Sequence, residues 1–276
     1  MVREIQIPWQ HRSRLQPIVS TTIPNQIALE PLAVKAAKTI KTAKIIGRGG
    51  FLDKYFYFSM SLLIAAVVIY GFSHTVSQNL IHPHEPRPLL LYVHAAVFSS
   101  WLLFFIVQSA LVRTHHVGLH RTLGWFGAAL GVAIITFGVA ISVTMARFNT
   151  IVLHQPYAEA FMAIPLWDIT CFTITFSLAI LWRKKPEFHR RLILLASCAL
   201  TAAGWGRIAL MPSIVFYSGV DFLILLGVAR DLLVNRSVHQ VYRYALPALV
   251  VGQTIVMYAV TQHPAWWLRI AHVLAG

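Results

Sequence analysis

Residues 120–146 read HRTLGWFGAALGVAIITFGVAISVTMA. From Thr122 to Ala146 the run is 25 residues long and holds no Asp, Glu, Lys or Arg. A helix that crosses a bilayer needs about 20 mostly apolar residues, so this stretch is expected to be a helix whose solvent is lipid. Working outward, six more stretches share its character, at 55–75, 88–112, 159–182, 188–211, 214–234 and 244–262. The fifth and sixth of the seven are nearly continuous, with Pro212-Ser213 and Ser218-Gly219 supplying a turn. The fold class expected is all-α, a polytopic integral membrane helix bundle of seven transmembrane helices.

Composition agrees. The chain of 276 residues is 57% hydrophobic and 12% charged, with a mean hydropathy of +0.66, whereas soluble domains carry about 25% charged residues. A disordered chain, a nucleic-acid-binding domain with a basic coat and an ordinary cytosolic enzyme are excluded. The lipid bilayer is the first partner expected, and nucleic acid is not one.

The net charge of +14 reads as topology. With the N-terminus inside, the inner segments 1–54, 113–121, 183–191 and 230–243 hold 19 of the 23 Lys and Arg. The outer segments hold Arg87, Arg147 and Arg269, and Arg207 lies within the fifth stretch. Such a bias predicts N-terminus inside and C-terminus outside. Residues 1–50 form a basic cytoplasmic tail without an apolar run long enough for a signal peptide. Residues 32–46, with lysines every third position, can form a surface amphipathic helix on an anionic leaflet or remain a plain tail. Residues 51–276 form the transmembrane domain. Tyr55, Phe56, Tyr57, Trp182, Trp266 and Trp267 stand where an interfacial belt would hold them. Gly124, Gly127, Gly131 and Gly138 form a small-residue face on the third span, expected to pack within the monomer. Cys171 and Cys198 lie in apolar runs and suggest no disulfide framework.

Four ionisable residues fall inside the outer half of the bundle on four different spans: His94, Asp168, Arg207 and Asp221. At 1.5 Å per residue they lie about 6–12 Å below the outer helix ends. Charged groups in hydrocarbon cost several kcal/mol, so these are expected to face inward and pair, either as a binding and catalytic pocket or as a structural network.

At the inner boundary Leu119-His120-Arg121 precedes Thr122-Leu123-Gly124-Trp125, and Phe188-His189-Arg190-Arg191 precedes Leu192-Ile193-Leu194-Leu195. Each pattern places a His in the first turn of a span. Two histidines at equal depth on different helices can ligate the iron of haem b from above and below. Arg121 and Arg190 would then suit the propionates. The same pattern also serves as a plain topology anchor, and His239 and His115-His116 are further candidates. There is no dinucleotide or P-loop glycine motif and no HExxH. His82-Pro83-His84-Glu85 reads as a turn.

Four segments, in this order, carry a resemblance: Tyr92 to Trp101, Leu119 to Trp125, Ala163-Ile164-Pro165-Leu166-Trp167-Asp168, and Pro186 to Ala196. Together they resemble a family of uncharacterised bacterial multi-span membrane proteins over roughly residues 55–265. That resemblance implies a bacterial cytoplasmic membrane and no particular activity. More distantly, a His-bearing helix followed by one opening His-Arg-x-x-Gly is similar to transmembrane b-type cytochromes. This implies haem b at the histidines and electron transfer. The chain departs from a two-haem pattern, since His94 is the one histidine well inside a span.

Two functional readings follow. The first is a haem-b-binding membrane oxidoreductase or electron carrier, with His120 and His189 as metal ligands and with a quinone or a redox partner protein supplying electrons. The second is a non-redox membrane enzyme, an isomerase or cyclase on a lipid-like substrate, or a proton-coupled transporter. There Asp168 and Asp221 would be acid and base, Arg207 an anion holder and His94 a proton shuttle. An assembly protein without chemistry is a third.

Overall fold

A computed structural model describes residues 29–208 and 216–275, with side chains from Leu52 onward. The chain forms two compact units, Met1–Ile46 and Gly47–Gly276. The expected amphipathic stretch 32–46 is helical, as the first part of α1 (Leu29–Ser73); its side chains lie outside the described residues.

Among the described residues every element is a helix. In the second unit α1 is followed by α2 (Leu89–Arg113), α3 (Val117–Ile151), α4 (Ala163–Leu181), α5 (Pro186–Ala199), the single turn α6 (Ala202–Trp205), α7 (Ser218–Asn235), α8 (Gln240–Gln262) and α9 (Ala265–Ala275). Five segments are long and apolar enough to cross a membrane: Leu52–Ser73, Leu89–Arg113, Val117–Ile151, Ala160–Leu181 and Gln240–Gln262. These match five of the seven expected spans.

The stretches expected at 188–211 and 214–234 are built differently. The first breaks after 14 residues at Ala199 and continues through the turn α6. The second is α7, whose 18 residues include Asp221, Arg230 and Asp231. For α5 the cause is its location. From Arg191 to Ala199 all of α5 except Ile193 is buried. A helix sheathed by other helices needs no lipid-facing surface and can be short and polar. Pro212 and Ser213, the expected turn, lie outside the described residues.

α4 is the hub, packed against α3, α5 and α8, while α2 pairs with α3 and α5 with α7. Aromatic side chains fill the glycine face of α3. A Cβ on Gly127 would meet the Phe104 ring, on Gly131 the Phe176 ring and on Gly138 Ile169. The face therefore packs within the monomer, although Gly124 has nothing within 4 Å. Sharp corners join the helices. His115 takes a left-handed conformation (φ 65°) between α2 and α3. Pro186 occupies the first turn of α5, beside Glu187, a placement that suits both the missing N–H and the helix dipole.

Within the second unit, residues 53–57 of α1 and the ends of α2, α3, α4, α5, α7 and α8 that carry the basic segments gather at one end of the bundle, here the basic end. Arg113 stacks on Tyr55 at 4.3 Å and Arg191 reaches Asp231 across α5 and α7. At the opposite, far end, Trp267 Nε1 donates to the Ala160 carbonyl (2.9 Å) and Arg147 Nε to that of Ala275 (2.7 Å), tying α9 down. Trp266 stays exposed as a belt residue should, but Trp267 is buried. Tyr57 also leaves the expected belt: its ring lies under the guanidinium groups of Arg190 and Arg230.

Candidate functional site at the basic end

His120 is in the first turn of α3 and His189 in the first turn of α5. The two helices meet there beside the end of α4, with the imidazole centres 6.3 Å apart and the planes at 78°. His189 Nδ1 lies 2.9 Å from the Ala179 carbonyl, so it carries the proton and donates. Among the described residues His120 Nδ1 is buried without a partner. Gln108 of α2 donates from Nε2 to the His120 carbonyl at 3.4 Å, and its own Oε1 is buried and unpartnered. Among the described residues neither Nε2 atom has a hydrogen-bond partner. Arg121 is exposed. Arg190 is committed elsewhere: it donates to Glu187 at 2.7 Å and lies 3.5 Å from Asp53.

Those contacts belong to an ion network that the sequence reading did not contain. Arg191 has no exposed surface. Its Nη2 and Nε donate to the two Asp231 oxygens at 2.5 and 2.8 Å, and its Nη1 donates to the Glu187 carboxylate at 2.6 Å. Arg230 donates to Asp231 at 2.9 Å and also pairs with Asp53. Asn235 Nδ2 and the His239 amide complete the shell of Asp231. Three arginines thus face three carboxylates from α1, α5 and α7, with no charge left over. The signal was present: Asp53, Glu187 and Asp231 are three of the chain's nine acidic residues, and all lie within its basic segments. The network clamps the first turn of α5 and so fixes where His189 stands.

Among the described residues, the four ionisable residues of the other half make no hydrogen bond or ion pair with one another. Asp168 accepts a hydrogen bond from the Tyr217 hydroxyl (3.2 Å) and Asp221 one from Gln253 Nε2 (3.0 Å). Since Tyr217 immediately precedes α7, both carboxylates belong to the junction of α4, α7 and α8. Arg207 turns the other way. It donates to the Ala203 carbonyl (2.5 Å) and to Thr75 (3.2 Å), and stacks over Phe72 at 4.1 Å. Among the described residues no ion pair joins it to either Asp. The break after α5 bears on its direction: Arg207 follows the single turn α6 rather than continuing a straight helix. His94 packs on Phe98 at 4.0 Å, with its Nδ1 buried and unpartnered.

Among the described residues no three metal-ligating side chains cluster. No family model matches the chain, and no curated protein or solved structure is similar to it.

Proposed function

We propose that the protein is an integral membrane electron carrier or oxidoreductase that holds haem b between His120 and His189 at its basic end. The observation that carries this reading is the pair itself: two imidazoles from different helices, 6.3 Å apart, with neither Nε2 engaged. With metal–nitrogen bonds of about 2 Å, two imidazoles on opposite sides of one metal have ring centres roughly 6 Å apart. His189 has the second feature of a metal-binding histidine, its other ring nitrogen donating to a backbone carbonyl. Haem b, when bound, supplies one-electron redox chemistry. His120 and His189 would hold it, Arg121 is the arginine still free for a propionate, and the Arg190 network keeps His189 in place. α3 and α5, which carry the two histidines, both lean on α4. Electrons would come from a membrane quinol or a partner protein. In this reading α5 and α7 complete a seven-segment bundle in a bacterial cytoplasmic membrane, N-terminus inside and C-terminus outside, and the likeness of the His-Arg segments to b-type cytochromes reflects a shared ligand arrangement.

The test is an absorption spectrum of the full chain, expressed with ample haem and purified in mild detergent, before and after dithionite. A stoichiometric Soret band that shifts on reduction, lost in both His120→Ala and His189→Ala, is expected. A colourless protein overturns the reading. The second reading, a non-redox enzyme or proton-coupled transporter, is supported by the two carboxylates at the α4, α7 and α8 junction, which face Tyr217 and Gln253 rather than a cation. A colourless protein moves attention there.

A further inference from the structure

The far end of the bundle has a cavity of about 400 Å³ between the end of α3, the connection to α4 and the end of α8. That is the size of a small-ligand site. Asn149, Gln155, Tyr157 and His263 line it with polar groups, and Phe161 and Val260 give it apolar walls. Among the described residues the lining holds no carboxylate, lysine or arginine, so a charged ligand would find no counter-ion there. None of the four polar side chains has a hydrogen bond among the described residues. All four groups are therefore available to a ligand.

Backbone geometry indicates that the wall is built. Tyr157 (φ 56°) adopts the left-handed conformation, which is uncommon for a bulky residue, and His263 (φ 49°) adopts it as the C-cap of α8. Held this way, their rings stack nearly parallel, at 4.3 Å and 12°. Left-handed bulky residues persist where surrounding structure over-determines them, and they concentrate at ligand sites. The stacked pair presents a flat aromatic surface, ringed by amide, phenol and imidazole hydrogen-bonding groups.

We infer that this cavity binds the headgroup of a quinone or quinol, a neutral flat ring with oxygen atoms on opposite edges and an apolar tail. The ring would lie against the Tyr157–His263 stack and its oxygens would meet Asn149, Gln155, Tyr157 or His263. The tail would leave past Phe161, which is 54% exposed. The site lies at the end of the bundle opposite His120 and His189, so it stands or falls independently of haem binding.

The test uses the full chain in mild detergent and an azidoquinone photoaffinity probe, with labelled peptides mapped by mass spectrometry. The expected result is saturable labelling within residues 149–161 or 257–263, suppressed by excess decylubiquinone and not by decanol. His263→Asn keeps a residue that tolerates the left-handed conformation but removes the ring, and should lower labelling at least about tenfold. Gln155→Leu alters one exposed side chain and should lower it several-fold without affecting folding. Labelling spread over the lipid-facing helices, equal protection by decanol, or unchanged labelling in both variants would each overturn the site.

Discussion

Arg191 keeps a full positive charge with no exposed surface, and it does so because almost all its N–H groups are used. Asp231, itself fully buried, takes two of them, while the Glu187 carboxylate and carbonyl share Nη1. Burying two charges costs several kcal/mol each, and such geometry is what offsets it. The consequence is asymmetric. Asp231→Asn keeps the shape but strips the countercharge from Arg191 and Arg230, and should destabilise the protein by about 3–5 kcal/mol. Asp53→Asn, at the half-exposed edge of the same network, should cost about 1 kcal/mol or less. Chemical unfolding in detergent measures both. Near-equal small losses would mean that water reaches Asp231. His189 belongs to the same scale: its ring stands where the backbone of a clamped helix places it, and a histidine count in the sequence carries no information on that clamp.

At the scale of a helix, the glycines of α3 show what a small-residue pattern does and does not reveal. Gly124 and Gly131 are seven residues apart and look alike in sequence. Gly131 lies against Phe176, which is itself stacked on Phe172 (5.3 Å, 8°) and edge-on to Trp101 (5.7 Å). A methyl group there has no compliant neighbour, so Gly131→Ala should destabilise by about 1–3 kcal/mol. Gly124 faces open space, and Gly124→Ala should instead stabilise by up to about 1 kcal/mol through helix propensity. Thermal unfolding of the two variants gives opposite signs if α3 is packed this way; the same sign in both would refute it. The spacing revealed a face but not its partner. Five long helices were legible because lipid-facing helices must be apolar along a full span. α5 was misjudged in form because a helix surrounded by protein is free of that demand, whereas α7, with Phe222, Leu225, Leu232 and Leu233 exposed, is shortened by the polar end that carries Arg230 and Asp231.

Over the whole molecule, charge is concentrated at one end, and acid is expected to loosen that end first. His239 caps α8, its Nδ1 accepting the Val241 amide at 3.2 Å. Burial, and then the nearby Arg191 charge, hold its imidazole below the ordinary 6.5. Glu187 is pushed up by burial, but the Arg191 hydrogen bond and the Arg190 and Arg191 charges outweigh this and hold it below its ordinary 4.5. Both groups take up a proton more readily in the unfolded chain, so the sign is the same for each: stability is complete above the unfolded pKa and is lost as pH falls through the folded one. For His239 the loss begins below about 6.5, where protonation also destroys the acceptor that caps α8. For Glu187 it begins below about 4.5. Unfolding in detergent from about pH 8 to about pH 3 should therefore show a plateau and then two falling stages. His239→Asn, which can still cap the helix, should shrink the upper stage, and Glu187→Gln the lower one. Stability that rises between about pH 7 and pH 5 would refute the assignment, because it would require a group at this end to gain, not lose, a partner on protonation.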